Sequence, residues 1–125
     1  MHITLVFSTN KAGRHSIGDA KLAMQKYGAM WGKAEGYEGH SYAIPTKDAN
    51  IKNLDLHEIE RSIQKFMRFA AEHSELEFHV TRMGCEDEHG YKDIKIAPMF
   101  RGAPKNCIFP KEWSRFLEPN ASIQN

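Results

Sequence analysis

The stretch Ile3-Thr4-Leu5-Val6-Phe7, which continues into Ser8-Thr9-Asn10, decides the fold class of this chain. Residues 3–7 are rich in β-formers and show no polar alternation, which is typical of a strand buried on both faces of a parallel sheet. A polar, glycine-containing loop follows at 10–18, and Asp19 is predicted to cap a helix that ends at Tyr27. The order of strand, loop and helix therefore predicts an α/β fold.

Further short apolar segments repeat the strand pattern, at 41–44, 76–82 and 107–109. Pro45 is predicted to close the first of them, because proline cannot donate to a sheet. Strands that alternate with helices favour a largely parallel sheet covered on both faces. We therefore expect one three-layer α/β/α domain with a mainly parallel, mixed sheet at 1–117, and a flexible tail at 118–125.

Two more helices are predicted, one between the second and third strands and one after the last strand. Asp55 is a natural N-cap and Glu58 completes a capping box, so a helix with apolar residues at spacings of three and four is expected through His73. Pro110 is suited to the first position of a last helix. Residues 31–40 are interrupted by three glycines and are predicted to form a loop.

Composition and charge exclude several classes of protein. The chain has 125 residues, the size of one domain, and its 17 Lys and Arg against 16 Asp and Glu leave a formal charge of +1. Such a balance disfavours general nucleic-acid binding, and no apolar run is long enough for a membrane span. The start of the chain shows no secretory pattern, and two cysteines are too few for a disulfide framework. We expect a cytoplasmic protein.

The first loop carries the residues best suited to a phosphate ligand. Ligands of parallel sheets bind at the carboxyl ends of the strands, where loops meet helix N-termini. Gly13 and Gly18 would let backbone amides approach a phosphate, with Arg14 as a bidentate clamp and His15 beside it. Asn10 has an amide suited to ribose hydroxyls or a base edge. A surface turn with a solvated arginine is the alternative.

The second loop, at 84–91, is acidic. Glu86, Asp87 and Glu88 would repel phosphate, and could instead hold a metal or face water; His89 beside them could act as a base. Cys85 would be a nucleophile only with a base beside it and a lowered pKa, and a packed thiol is the alternative. The sequence assigns no definite metal site and no cofactor.

Lys47 follows the predicted second strand. Such a lysine could pair with a phosphate, attack a sugar carbon or point into solvent. Trp31, Tyr37 and Tyr42 flank the same region and could stack on a base or pack in the core.

Four segments together resemble a family of small uncharacterised proteins of tailed phages and bacteria. They are Ser8-Thr9-Asn10-Lys11-Ala12-Gly13-Arg14-His15, the stretch Glu35-Gly36-Tyr37-Glu38-Gly39-His40-Ser41-Tyr42-Ala43-Ile44-Pro45-Thr46-Lys47-Asp48, Val80-Thr81-Arg82-Met83-Gly84-Cys85, and Ile96-Ala97-Pro98-Met99-Phe100. The family pattern contains GSNxAGRHGxG, SYAIPTKD, GCGxAGY and IAPMF in the same order. The resemblance implies a phage-type protein in the bacterial host cytoplasm.

The arrangement is also similar, more distantly, to a macrodomain, the α/β module that binds ADP-ribose. The resemblance implies that Asn10 and the loop from Gly13 to Gly18 would hold ribose and phosphate. It also implies a second phosphate loop that comprises Gly84, Cys85, Gly90 and Tyr91. In the branch that hydrolyses ADP-ribosyl bonds, Lys47 would be catalytic with Glu88, or Asp87, as the acidic residue. Here Glu86 replaces a glycine of the pattern and the loop is one residue longer.

Three hypotheses follow from these residues. The first is a domain that binds ADP-ribose or another NAD-derived nucleotide, and the second is an ADP-ribosyl hydrolase that uses Lys47. The third is a non-catalytic phage structural or host-interaction protein whose pocket has degenerated, which the acidic loop favours. The expected partner is a small nucleotide, or alternatively another protein.

Overall fold

The computed structural model describes residues 3–124, and the first two residues and Asn125, with the predictions that touch them, lie outside this range. The strands are β1 (Ile3–Asn10), β2 (Gly36–Glu38), β3 (Ser41–Lys47), β4 (Glu77–Val80), β5 (Cys107–Phe109) and β6 (Ser122–Ile123). The helices are α1 (Gly18–Lys26), α2 (Leu56–Glu72) and the short α3 (Asp93–Ile96), and 3₁₀ helices span Ala97–Phe100 and Lys111–Phe116. The chain is an α/β domain.

The six strands form one sheet in the order β2-β3-β1-β4-β5-β6. All neighbours are parallel except β2, which pairs antiparallel with β3 at one edge. The predicted mixed, mainly parallel sheet is confirmed. Because β1 lies between β3 and β4, the loops that follow these three strands meet at one end of the sheet.

Helices cover the two faces of the sheet unequally. On one face, α2 and the later helical segments pack on a large core that includes Phe66, Phe78 and Trp113, all fully buried. On the other face, α1 covers a smaller cluster around Phe7 and Ala23. The α1 face is therefore the less covered one.

Helix α2 forms as its sequence predicts. The carboxylate of Asp55 accepts a hydrogen bond of 3.0 Å from the amide of Glu58, which satisfies an otherwise unpaired donor of the first turn. The buried side chains Ile59, Ile63, Phe66 and Ala70 recur at spacings of three and four. This stripe fixes which face of α2 meets the sheet.

The start of α1 differs from the prediction. The N-cap is Ile17, not Asp19, and no side chain caps this end of the helix. Asp19 lies inside the first turn, where its charge still interacts favourably with the helix dipole. The helix ends at Lys26, and Tyr27 is its C-cap.

Four segments also differ from the sequence predictions. Strand β3 continues through Pro45 to Lys47; β2 pairs only with residues 41–43, and an unpaired strand edge tolerates proline. Residues 36–38, expected in a loop, form β2. In the region predicted to be a tail, Ser122 and Ile123 pair with β5. The last predicted helix is a 3₁₀ helix, with Pro110 as its N-cap.

Candidate functional site

A cavity of about 400 Å³ opens at the end of the sheet where the loops after β1, β3 and β4 meet. Its wall includes Asn10 and Lys47, the last residues of β1 and β3, and the first turn of α1. The acidic loop contributes Glu86 and Asp87. Both loops singled out from the sequence therefore contribute to one cavity, of a size typical for small-molecule sites.

Asn10 organises the loop that follows β1. Its Oδ1 accepts hydrogen bonds from the amides of Ala12 at 3.1 Å and Arg14 at 3.2 Å. Its Nδ2 donates to the carbonyl oxygen of Arg14 at 3.0 Å. Three of the four hydrogen bonds available to this amide are made within the loop, so the side chain shapes the wall of the cavity more than it offers free contacts.

Arg14 joins two of the loops around the cavity. Its Nη2 donates a 2.6 Å hydrogen bond to the carbonyl oxygen of Ala49, in the loop after β3. The guanidinium carries five N–H donors, so this bond leaves others for an anion. Arg14 also lines the cavity.

The first turn of α1 brings backbone amides to the same wall. Ile17, Gly18, Asp19 and Ala20 all line the cavity, and no side chain caps the helix. Uncapped amides at a helix N-terminus are suited to anions. The carboxyl of Asp19 works against this preference, and its burial raises its pKa.

Glu86 closes the cavity from the side of β4. The hydroxyl of Ser8 donates a 2.5 Å hydrogen bond to Oε1 of Glu86. Although the residue as a whole is exposed, its carboxyl lies against β1, and burial there raises its pKa; the Ser8 bond opposes this shift and the nearby Asp19 adds to it. The wall thus combines the cations Arg14 and Lys47 with the acids Asp19, Glu86 and Asp87.

The two residues predicted to be catalytic do not share this cavity. Lys47 lines it, and its Nζ donates to Oδ1 of Asn53 at 3.2 Å. The side chain of Glu88 is 85% exposed and does not line the cavity. Its Oε1 lies 3.5 Å from Nε2 of His89. Asp87, the alternative acid, does line the cavity.

Gly13 and His15 pack the first loop against neighbouring parts of the structure. A Cβ on Gly13 would lie 2.5 Å from the carbonyl carbon of Gly32, so a glycine is needed for this backbone contact. The ring of His15 is fully buried, edge-on to Phe7 and to Trp31, and outside the lining of the cavity. The structure therefore gives no support to His15 as a phosphate ligand.

The remaining predicted residues of the second loop close the loop on itself. The amide of Tyr91 donates to the carbonyl oxygen of Gly84 at 2.8 Å, and a Cβ on Gly90 would lie 2.5 Å from that oxygen. The hydroxyl of Tyr91 donates to the carbonyl of Leu54 at 2.6 Å. Gly84, Gly90 and Tyr91 lie outside the cavity lining, and their contacts hold Glu86 and Asp87 in place.

Cys85 is a packed thiol. It is buried, and this burial raises its pKa to about 12, with smaller contributions from Asp93 and Glu86. A nucleophilic cysteine needs the opposite shift. Cys85 also lies outside the cavity lining.

The aromatic residues near Lys47 belong to other parts of the structure. Tyr42 is buried against Phe66 and Phe69, and Tyr37 packs on Phe69. Trp31 is 56% exposed beside His15. None of the three lines the cavity.

A second cavity, of about 550 Å³, lies over the part of the sheet that α1 leaves uncovered. Its lining includes Leu5 of β1 and Thr81, which directly follows β4. Asp19 and Glu86 line both cavities and so form the boundary between them.

Several cavity residues escaped the sequence analysis. Ser8, Ile17 and Ile51 all line the cavity. Ile51 left one signal in the sequence, since it is a large aliphatic residue in the polar stretch Asp48-Ala49-Asn50-Ile51-Lys52. The role of Ser8 depends on a partner 78 residues away, which no local pattern reveals.

Within residues 3–124, no three or more His, Cys, Asp or Glu side chains form a group that could hold a metal ion. In the same range, no helix has the length and apolar character needed to cross a membrane. No protein-family model, curated protein or solved structure matches the chain.

Proposed function

We propose that this protein binds an NAD-derived nucleotide, namely ADP-ribose or a close relative of it, in the cavity at the ends of β1 and β3. The observation that carries the proposal is the convergence of Arg14, Lys47 and the uncapped first turn of α1 on one cavity. Backbone amides at a helix N-terminus and a guanidinium are the donors that proteins use most readily for phosphate. The resemblance to macrodomains points to the same ligand class.

The acids of the cavity fit the sugars of such a ligand. Glu86 and Asp87 line the cavity from the loop after β4, whereas Arg14 and the first turn of α1 line it from the segment after β1. Carboxylates accept hydrogen bonds from ribose hydroxyls, and a ribose diol supplies two donors. A ligand with phosphate at Arg14 and hydroxyls at Glu86 would satisfy both kinds of group, whereas inorganic phosphate would satisfy only one.

The test is calorimetric titration of the full chain with ADP-ribose, AMP, NAD, ATP and cyclic dinucleotides, supported by thermal shift. Binding must raise the melting temperature, because a ligand that binds the folded state stabilises it. We expect Arg14→Gln to weaken ADP-ribose binding about tenfold, the effect of losing one charge-assisted hydrogen bond. Arg61→Gln, on the exposed side of α2, is the matched control and should change nothing.

If none of these ligands binds or raises the melting temperature, the proposal is refuted. Pull-down experiments would then test the alternative of a non-catalytic host-interaction protein with a closed pocket. Unchanged affinity in Arg14→Gln would show that the nucleotide binds elsewhere on the protein.

A second candidate function is hydrolysis of an ADP-ribosyl bond. The observation that favours it is that Lys47 and Asp87 line the same cavity. In this scheme Asp87 accepts a proton from a water molecule that attacks the anomeric carbon of the ribose. The bond from that carbon to the modified glutamate breaks, and Lys47 stabilises the departing carboxylate. Release of ADP-ribose from a peptide modified on glutamate measures the activity, and turnover that survives Lys47→Ala would rule the assignment out.

A further inference from the structure

Two isoleucines on the rim of the cavity are exposed far more than is usual for large aliphatic side chains. Ile17, the N-cap of α1, is 78% exposed, and Ile51, in the loop after β3, is 51% exposed. Both line the cavity. Removing apolar side chains from water when a ligand binds lowers the free energy of the complex. Apolar side chains beside a few polar groups are therefore typical of ligand sites.

The backbone of Ile51 is strained. Its φ of +65° makes it the one non-glycine residue with positive φ between residues 3 and 124. A β-branched residue is a rare occupant of this conformation, which glycine or asparagine adopts at lower cost. Such strain persists where the surrounding structure enforces it, and it is concentrated at functional sites.

The loop around Ile51 enforces this conformation. Oδ1 of Asp48 accepts hydrogen bonds from the amides of Asn50 at 2.8 Å and Lys52 at 3.0 Å. The carbonyl oxygen of Asp48 accepts one from the amide of Ile51 at 3.1 Å. These bonds hold the Ile51 side chain on the cavity wall without help from the core.

Arg14 connects this apolar wall to the phosphate donors. Its 2.6 Å bond to the carbonyl oxygen of Ala49 anchors the loop that carries Ile51. The guanidinium is therefore tied to the loop that carries Ile51, and Ile17 lines the same cavity from the segment that carries Arg14. A ligand that uses both needs an anionic group and an apolar group a short distance apart.

We propose that Ile17 and Ile51 hold the base of the nucleotide between them, with the phosphate directed toward Arg14 and the first turn of α1. This inference rests on the proposed function and specifies which part of the ligand each wall contacts. A heteroaromatic base is flat and has two apolar faces, so it suits two aliphatic walls. A flexible acyl chain would leave the polar groups of the cavity without partners.

The test compares AMP, ADP-ribose and ribose 5-phosphate as calorimetric ligands of the wild type and three variants. We expect Ile17→Ala and Ile51→Gly each to weaken AMP and ADP-ribose about tenfold, since each removes most of one apolar wall. The weaker affinity for ribose 5-phosphate, which has no base, should be unchanged. Ile94→Ala, at a position that is 58% exposed and outside the cavity, is the control.

The substitution at Ile51 separates binding from folding. Glycine adopts positive φ without strain, so Ile51→Gly should keep or raise the melting temperature while it weakens binding. A large drop in melting temperature would show that the side chain supports the fold, which would overturn the inference.

The remaining outcomes are distinct. If ADP-ribose binds and neither isoleucine substitution weakens it or AMP, the inference fails and the proposed function stands. Equal loss for ribose 5-phosphate, or a wild-type affinity for it as high as for AMP, would also overturn the inference. If none of the three ligands binds the wild type, the proposed function fails and the inference fails with it.

Discussion

The amide of Gly32 donates a 2.8 Å hydrogen bond to the carbonyl oxygen of Gly13, so that the loop after β1 rests on the loop after α1. Both glycines have positive φ, +68° at Gly13 and +92° at Gly32. A Cβ on Gly13 would lie within 2.7 Å of three backbone atoms of Gly32, whereas a Cβ on Gly32 would meet nothing within 4 Å. The two sides of this contact therefore tolerate substitution very differently.

We predict that Gly13→Ala lowers the free energy of unfolding by about 3 kcal/mol, through left-handed backbone strain and the collision with Gly32. Gly32→Ala, the matched control, should cost only the strain, about 1 kcal/mol. Urea denaturation of both variants measures the difference. Equal losses would contradict the close contact.

His15 contributes an unusual buried group. Its ring is fully buried and, among the described residues, neither ring nitrogen has a hydrogen-bond partner. Unsatisfied buried polar atoms cost about 1–3 kcal/mol each, so His15→Leu should leave stability unchanged or raise it by up to about 2 kcal/mol. ADP-ribose binding should also stay unchanged, because the ring lies outside the cavity. Loss of binding in a stable His15→Leu protein would restore His15 as a ligand residue.

Glu86→Gln should stabilise the protein at neutral pH. Burial raises the pKa of Glu86 in the folded state, so its contribution to stability is greatest below its unfolded pKa of about 4.3 and falls as pH rises through the folded value. Glutamine stays neutral and its oxygen can still accept the bond from Ser8. We expect a higher melting temperature than wild type at pH 7 and equal values near pH 4, the range given by that reference pKa. A gain that persists unchanged at pH 4 would rule out a charge effect.

Asp93 links three parts of the fold. It accepts two hydrogen bonds from Arg82, at 3.0 and 2.7 Å, and one from Nε1 of the fully buried Trp113 at 2.6 Å. Asp93→Ala should cost about 2 kcal/mol, mainly because the indole N–H loses its partner. Asp93→Asn keeps an acceptor and should cost less.

The pH dependence of Asp93 has the opposite sign to that of Glu86. The hydrogen bonds from Arg82 lower the pKa of Asp93, so its stabilising effect is present above its unfolded pKa of about 3.9 and is lost as pH falls through the folded value. The difference in unfolding free energy between wild type and Asp93→Asn should therefore shrink under strongly acidic conditions. A constant difference would contradict a role for the charge.

The two cysteines should be unreactive in the folded protein. Burial raises the pKa of both Cys85 and Cys107 to about 12, so almost no thiolate exists at neutral pH. Mass spectrometry after iodoacetamide treatment should show both thiols free in native protein and alkylated in denaturant. Rapid native alkylation of Cys85 would revive the hypothesis that it is a nucleophile.

The sequence alone determined the features that depend on local patterns. The strand at residues 3–7 and the capped, periodic helix after Asp55 are properties of a few adjacent residues, and the structure contains both. Residues 4–7 are buried as predicted, whereas Ile3, at the start of the strand, is 39% exposed. The alternation of strands and helices also indicated where polar loops would gather. Both loops chosen on that ground, at 10–18 and 84–91, contribute to one cavity.

Tertiary structure decided what each residue of those loops does. His15 has a polar side chain, yet its ring is buried beside Phe7. Gly90 is needed for the closure of its own loop, because a Cβ there would lie 2.5 Å from the carbonyl oxygen of Gly84. The bond between Ser8 and Glu86 and the left-handed backbone of Ile51 depend on contacts that only the folded chain brings together. The preference of a segment for helix or strand depends on residues adjacent in the chain. The burial of a side chain, the closing of a loop on itself and the strain of a backbone depend on residues that only the folded chain brings close.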